Sequence, residues 1–213
     1  MILADTYIYR IIHIDNLEYI LRSGFITNKF HPNRDSSYIG IGESDLIGKR
    51  EDQAIITSDL GNEYFPSRDF LPFYFYIQSV MLYRIQKGYN VTKRPPEDII
   101  YIVFKLDEII DGIEYIFTDG HGYASMSNWF EDIDSLKFLD TEDIKRIRWE
   151  NTEEDPDRKR RKQAEFWIKQ PLSIDLIKGI ATFNDTCNER VTQLVEQYQR
   201  KIEVKTKPNF YYQ

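Results

Sequence analysis

A glutamate opens one of the apolar strands of this chain. Glu165 stands in Gln163-Ala164-Glu165-Phe166-Trp167-Ile168, directly after the basic run Arg158-Lys159-Arg160-Arg161-Lys162. A carboxylate is costly to bury without a partner, so it either reaches water at the strand end or has a task there, and the residue alone leaves both open. His13 ends the run Tyr7-Ile8-Tyr9-Arg10-Ile11-Ile12. Its imidazole can act as acid, base or hydrogen-bond partner near neutral pH, although a satisfied edge histidine is the plainer reading. Arg50 follows Leu46-Ile47-Gly48-Lys49, and Tyr74 and Met81 flank a short turn; a surface arginine and two core residues are the plain readings, a phosphate contact and a ring platform the functional ones. His121 lies in Thr118-Asp119-Gly120-His121-Gly122-Tyr123, a turn between strands where binding groups are commonly displayed. His31, Cys187 and the three tryptophans carry no functional signal.

The elements that must hold these residues follow from periodicity. Tyr7 to His13 is rich in β-branched and aromatic residues and reads as a strand. Asp15 offers an N-cap to a short helix with Leu17, Ile20 and Leu21 on one face, which Gly24 can end. From Asn28 to Gly48 the chain is polar and carries Pro32 and three glycines, so it reads as an ordered loop with a helical turn near Ser44 to Ile47. Loops of this length in compact domains are often functional. Further strands are expected at Ala54 to Thr57, within Phe70 to Ile77, and at Ile99 to Lys105, Tyr115 to Thr118, Ser125 to Phe130, Ala164 to Ile168 and Ile177 to Thr182. Helices are expected from Ser79 to Gln86, over Asp140 to Arg161 with a break near Pro156, and from Asn184 to Tyr198. Ile202 to Val204 and Phe210 to Tyr212 should close the sheet. Strands and helices lack the regular alternation of a doubly wound fold, so the class is α+β with a mostly antiparallel sheet.

Composition narrows the choice. The chain of 213 residues is 41% hydrophobic and 15% aromatic, which is core-forming material, and its length fits one domain over residues 1–213. Its one cysteine excludes an intramolecular disulfide and a cysteine-based metal site. The histidines make no metal spacing, and neither a dinucleotide-binding glycine fingerprint nor a P-loop is present. No secretory signal or membrane-spanning stretch is read, which fits a reducing cytoplasm. A net charge of -7 argues against coating duplex DNA. The window Ile144 to Lys162 nevertheless holds eight basic against five acidic residues, a strip able to hold a few phosphates or, more plainly, a solvated face.

Taken in order, the blocks Tyr9-Arg10-Ile11-Ile12-His13-Ile14-Asp15-Asn16-Leu17, Leu46 to Arg50, Pro72 to Phe75 with Met81-Leu82, Phe117 to His121, and Gln163-Ala164-Glu165 resemble the DarT toxins of DarTG toxin–antitoxin systems. The resemblance extends over nearly the whole chain. It implies an ADP-ribosyltransferase-like split sheet, mostly antiparallel with flanking helices, that clamps NAD+ as co-substrate without a metal. The implied activity is ADP-ribosylation of a base in single-stranded DNA, thymine with guanine as the alternative. A macrodomain antitoxin, DarG, is the implied partner. On this resemblance His13 hydrogen-bonds the adenosine-side ribose, Asn16 and the Asn28 to Gly48 loop close over the dinucleotide, Tyr74 stacks near the nicotinamide and Met81 packs beside it. Arg50 faces the pyrophosphate and the reaction centre, and Glu165 accepts from a hydroxyl of the nicotinamide ribose. His121 helps to place the base, and Arg158, Lys159, Arg160 and Arg161 meet DNA phosphates.

Two other classes compete. One is a metal-independent nuclease with His13 and His121 as acid and base. The other is a non-catalytic nucleic-acid binder built from the basic strip and exposed aromatics. Neither needs a glutamate in the position of Glu165 nor depends on NAD+.

Overall fold

The computed structural model describes residues 1–43, 48, 54–59 and 64–213. Arg50 and the helical turn expected near Ser44 to Ile47 lie outside the described residues. Strands are β1 (Tyr7–His13), β2 (Phe25–Ile26), β3 (Ala54–Ile56), β4 (Tyr64–Pro66), β5 (Phe70–Tyr74), β6 (Ile99–Lys105), β7 (Tyr115–Thr118), β8 (Trp129–Phe130), β9 (Glu165–Lys169), β10 (Leu172–Ser173), β11 (Gly179–Thr182) and β12 (Val204–Thr206). Helices are α1 (Leu17–Ser23), α2 (Val80–Lys87), α3 (Leu106–Ile109), α4 (Thr141–Lys145), α5 (Arg158–Arg161) and α6 (Asp185–Gln197).

One eight-stranded sheet runs β12-β11-β6-β1-β5-β9-β7-β8. All its neighbours are antiparallel except β11 and β12. β6 is apolar on both faces because both are covered. Ile8, Ile12, Phe73 and Phe104 pack on one side with Val191 of α6. Ile11, Ile99 and Tyr101 pack on the other with Leu82 and Ile85 of α2. The fold is α+β, as the patterning predicts.

The sheet is continuous except in one place. β1 pairs with β6 along all seven of its residues and β5 with β9 along all five of its own, yet β1 and β5 share the single register pair Tyr9–Tyr74. Pro72 accounts for the parting. It has no N–H to give β1, and its carbonyl instead accepts Arg10 Nη1 at 2.9 Å.

Several expectations need correction. The cap expected of Asp15 is not formed: His13 Nδ1 accepts the Asp15 N–H and caps the 3₁₀ turn Ile14–Asn16, α1 starts after Asn16 with no side-chain cap among the described residues, and Asp15 pairs with Arg190. The strand expected to run to Ile77 stops at Tyr74, where the chain bends through Gln78 (φ 54°) to reach the Ser79 cap of α2. Between Ser125 and Phe130 only the last two residues form a strand. The stretch Asp140 to Arg161 holds just the two short helices α4 and α5. At the C-terminus Phe210 to Tyr212 adds no strand: Pro208 starts a 3₁₀ turn that lowers Tyr211 into the core, its hydroxyl donating to Ile99 O at 2.8 Å.

Candidate active site

Past the Tyr9–Tyr74 bridge the two strands diverge, and a cavity of about 540 Å³ opens with Ile11 and Ile12 on one lip and Phe70 and Pro72 on the other. That is the size of an ordinary small-molecule site. Five residues singled out from the sequence line it: Asn16, Tyr74, Met81, His121 and Glu165.

Each is placed by its element. Glu165 begins β9 directly opposite Tyr74 of β5, and Tyr74 is opposite Tyr9 of β1, so the three project in a row from one face across three strands. Glu165 is only 5% exposed, and its Oε2 accepts Trp167 Nε1 at 2.9 Å. Burial pushes the Tyr9 hydroxyl up to about 12, so it stays protonated at neutral pH. Met81 is set by α2, whose Ser79 Oγ caps Leu82 N. Asn16 is buried at the end of the turn after β1 and bonds Ile39 twice, Nδ2 to its carbonyl at 2.9 Å and Oδ1 from its N–H at 2.8 Å. This fastens the segment from Asn28 to Glu43 over the cavity. Asn28 ties the other end by donating to Arg68 O and Phe70 O.

His13 does not share the cavity. Its ring is 5% exposed, takes the Asp15 N–H at Nδ1 and sets Nε2 3.8 Å from Asp98 Oδ2. His13 thereby shapes the Ile14–Asn16 turn. With His13 outside and His121 inside, a paired-histidine acid–base site has no geometry here.

The four basic residues before Glu165 divide unequally. Arg160 grips Asp157 through Nε and Nη2 (2.7 and 2.8 Å) and Asp119 through Nη1 (2.7 Å). Arg161 pairs with Asp143, Asp155 and Asp157, and Arg158 with Asp155. The guanidinium groups hold Asp155 and Asp157 below the usual carboxylate range. In this arrangement the three arginines tie the segment before β9 to neighbouring carboxylates. Lys159 is exposed and lies 5.6 Å from the Trp149 ring. Arg160 also anchors the His121 turn, its carbonyl accepting the His121 N–H at 3.0 Å. Gly120 is required there because a Cβ would collide with Arg160 Nη1.

Sequence reasoning missed three residues. Arg10 and Arg34 line the cavity, and Arg10 Nε is buried with no partner among the described residues. An arginine inside an apolar strand was the available signal for the first; nothing in the sequence marked Arg34. The third is Trp167, legible as the i+2 neighbour of Glu165 on the same strand face.

A buried carboxylate facing an aromatic-lined cleft, with arginines on its walls, suits an enzyme that grips a sugar–phosphate substrate and steadies positive charge as a glycosidic bond breaks. Comparison with known proteins narrows this class. The family model described as "ssDNA thymidine ADP-ribosyltransferase, DarT" matches residues 9–212. A DNA ADP-ribosyl transferase of Thermus sp. (strain 2.9) is 32% identical over 213 residues, covering 97% of this chain and 96% of the relative. The solved structure of Thermus sp. 2.9 DarT in complex with ADP-ribosylated ssDNA superposes with a TM-score of 0.84 at 29% identity, covering 97% and 96% of the two chains. That of Thermus sp. 2.9 DarT in complex with NAD+ gives 0.79 at 28% identity over 97% and 98%. The chain belongs to the DarT family of single-stranded DNA thymidine ADP-ribosyltransferases.

Proposed function

We propose that this chain transfers ADP-ribose from NAD+ to thymine in single-stranded DNA. The observation that carries this reading is the buried carboxylate of Glu165 on the wall of the cleft, directly across from Tyr74. Glu165 accepts a hydrogen bond from a hydroxyl of the nicotinamide ribose and stabilises the oxocarbenium-like transition state. The bond from C1′ to nicotinamide breaks and its electron pair leaves with the neutral nicotinamide. The new bond forms from C1′ to a thymine nitrogen, which gives up its proton. Tyr74 and Met81 pack against the nicotinamide, and Asn16 with its loop covers the dinucleotide. Arg10, with a buried donor to spare, and Arg34 suit the pyrophosphate. Arg50 takes the reaction-centre role through the family resemblance. His121 places the base, and Lys159 meets a phosphate of the strand.

The same reading makes the protein the toxin of a cytoplasmic toxin–antitoxin pair, with a macrodomain antitoxin that removes the ADP-ribose. Single strands suit the site because an unpaired base reaches a pocket without the cost of unstacking a duplex. The test is the mass of a thymidine-containing single-stranded oligonucleotide after incubation with and without NAD+. A gain of one ADP-ribose only with NAD+, and none on an oligonucleotide lacking thymidine, is expected. Shortened strands without NAD+ would overturn the proposal in favour of a nuclease.

A further inference from the structure

Trp167 is 1% exposed, and an indole N–H buried so deeply needs an acceptor. Its acceptor is Glu165 Oε2, 2.9 Å away on the same face of β9. The ring cannot swing, because Trp129 packs edge-on against it with centroids 4.9 Å apart. The turn bearing His121 closes the arrangement. A Cβ at Gly122 would lie 2.9 Å from Trp129 Cζ2 and 3.4 Å from Glu165 Oε2, so a glycine lets the turn approach both.

We infer that Trp167 is a positioning residue for the reaction: its indole N–H, backed by Trp129 and Gly122, fixes the rotation of the Glu165 carboxylate. This inference rests on the role given to Glu165 above. Orientation of a group that acts in the transition state is read in kcat, whereas ground-state binding is read in KM.

Trp167→Phe keeps an aromatic ring in the core while removing the donor along with part of the ring volume. Expected is a kcat for transfer to the oligonucleotide lowered by about 10-fold, the scale of a hydrogen bond to a charged group, with KM for NAD+ within twofold of wild type. Gly122→Ala should move kcat in the same direction while leaving the indole donor in place. An independent readout is the indole ¹H–¹⁵N resonance of Trp167 in the full chain, which should exchange slowly with solvent and shift on Glu165→Ala. Unchanged kcat in Trp167→Phe, or a Trp167 resonance indifferent to Glu165→Ala, overturns the inference. Failure of the wild-type chain to modify the oligonucleotide instead refutes the proposed function, and the resonance then decides the indole–carboxylate contact alone.

Discussion

Two neighbouring strand pairs of one sheet behave in opposite ways. β5 and β9 are zipped along their length and carry Tyr74 and Glu165 on facing positions; β1 and β5 touch once and part. The closed pair supplies rigidity where a reacting group must be aimed, and the open pair supplies volume where a substrate must lie. Precision and room thus come from the same strand, β5, used on its two edges.

The largest effect should come from the closed side. Glu165→Gln keeps the shape but removes the charge, and the transfer rate should fall by at least about 100-fold in the mass assay. On the open side, Pro72→Val returns an N–H to β5 and lets it pair further with β1. KM for NAD+ should then rise by roughly 10-fold with kcat little changed, because one backbone hydrogen bond competes with the ligand for the gap. An unchanged KM would show that the parting does not depend on the missing donor.

Smaller effects sharpen the distinction between holding and contacting. Arg160→Ala removes two carboxylate partnerships beneath the His121 turn and should cost about 2 kcal/mol, lowering Tm by roughly 4–8 °C. The salt dependence of single-strand binding should stay as it was, whereas Lys159→Ala should reduce that slope by about one. Lys162 leads into β9, is 4% exposed, and donates to Ile144 O. Burial pushes its ammonium down to about 8 from 10.5. The unfolded chain therefore binds the proton more tightly, so stability should rise as pH climbs from about 8 to 10.5 and the penalty is full below that window. Lys162→Met should abolish this part of the rise in a comparison of Tm at pH 7.5 and 9.5.

Much of this was readable beforehand where signals are local. β6 and β7 begin and end at the residues that alternation predicts, and Gly24 and Gly88 stop α1 and α2 with positive φ. Part of the cavity wall is legible as well: Asn16, Tyr74, Met81, His121 and Glu165 follow from residue type and motif order. What stayed hidden depends on partners remote in the chain. Asp119 neutralises Arg160 across 41 positions, and Asp143 neutralises Arg161 across 18, so a basic run that looks free in sequence is tied down in space. The bond from the Asp15 N–H to His13 Nδ1, which caps the turn that follows, is likewise a matter of local geometry that residue type does not announce.

One buried amide has a consequence for traffic through the cleft. Since Asn16 clasps Ile39 by both donor and acceptor, raising that wall severs two contacts at once, a cost of about 1–3 kcal/mol that any ligand requiring the wall to lift must offset.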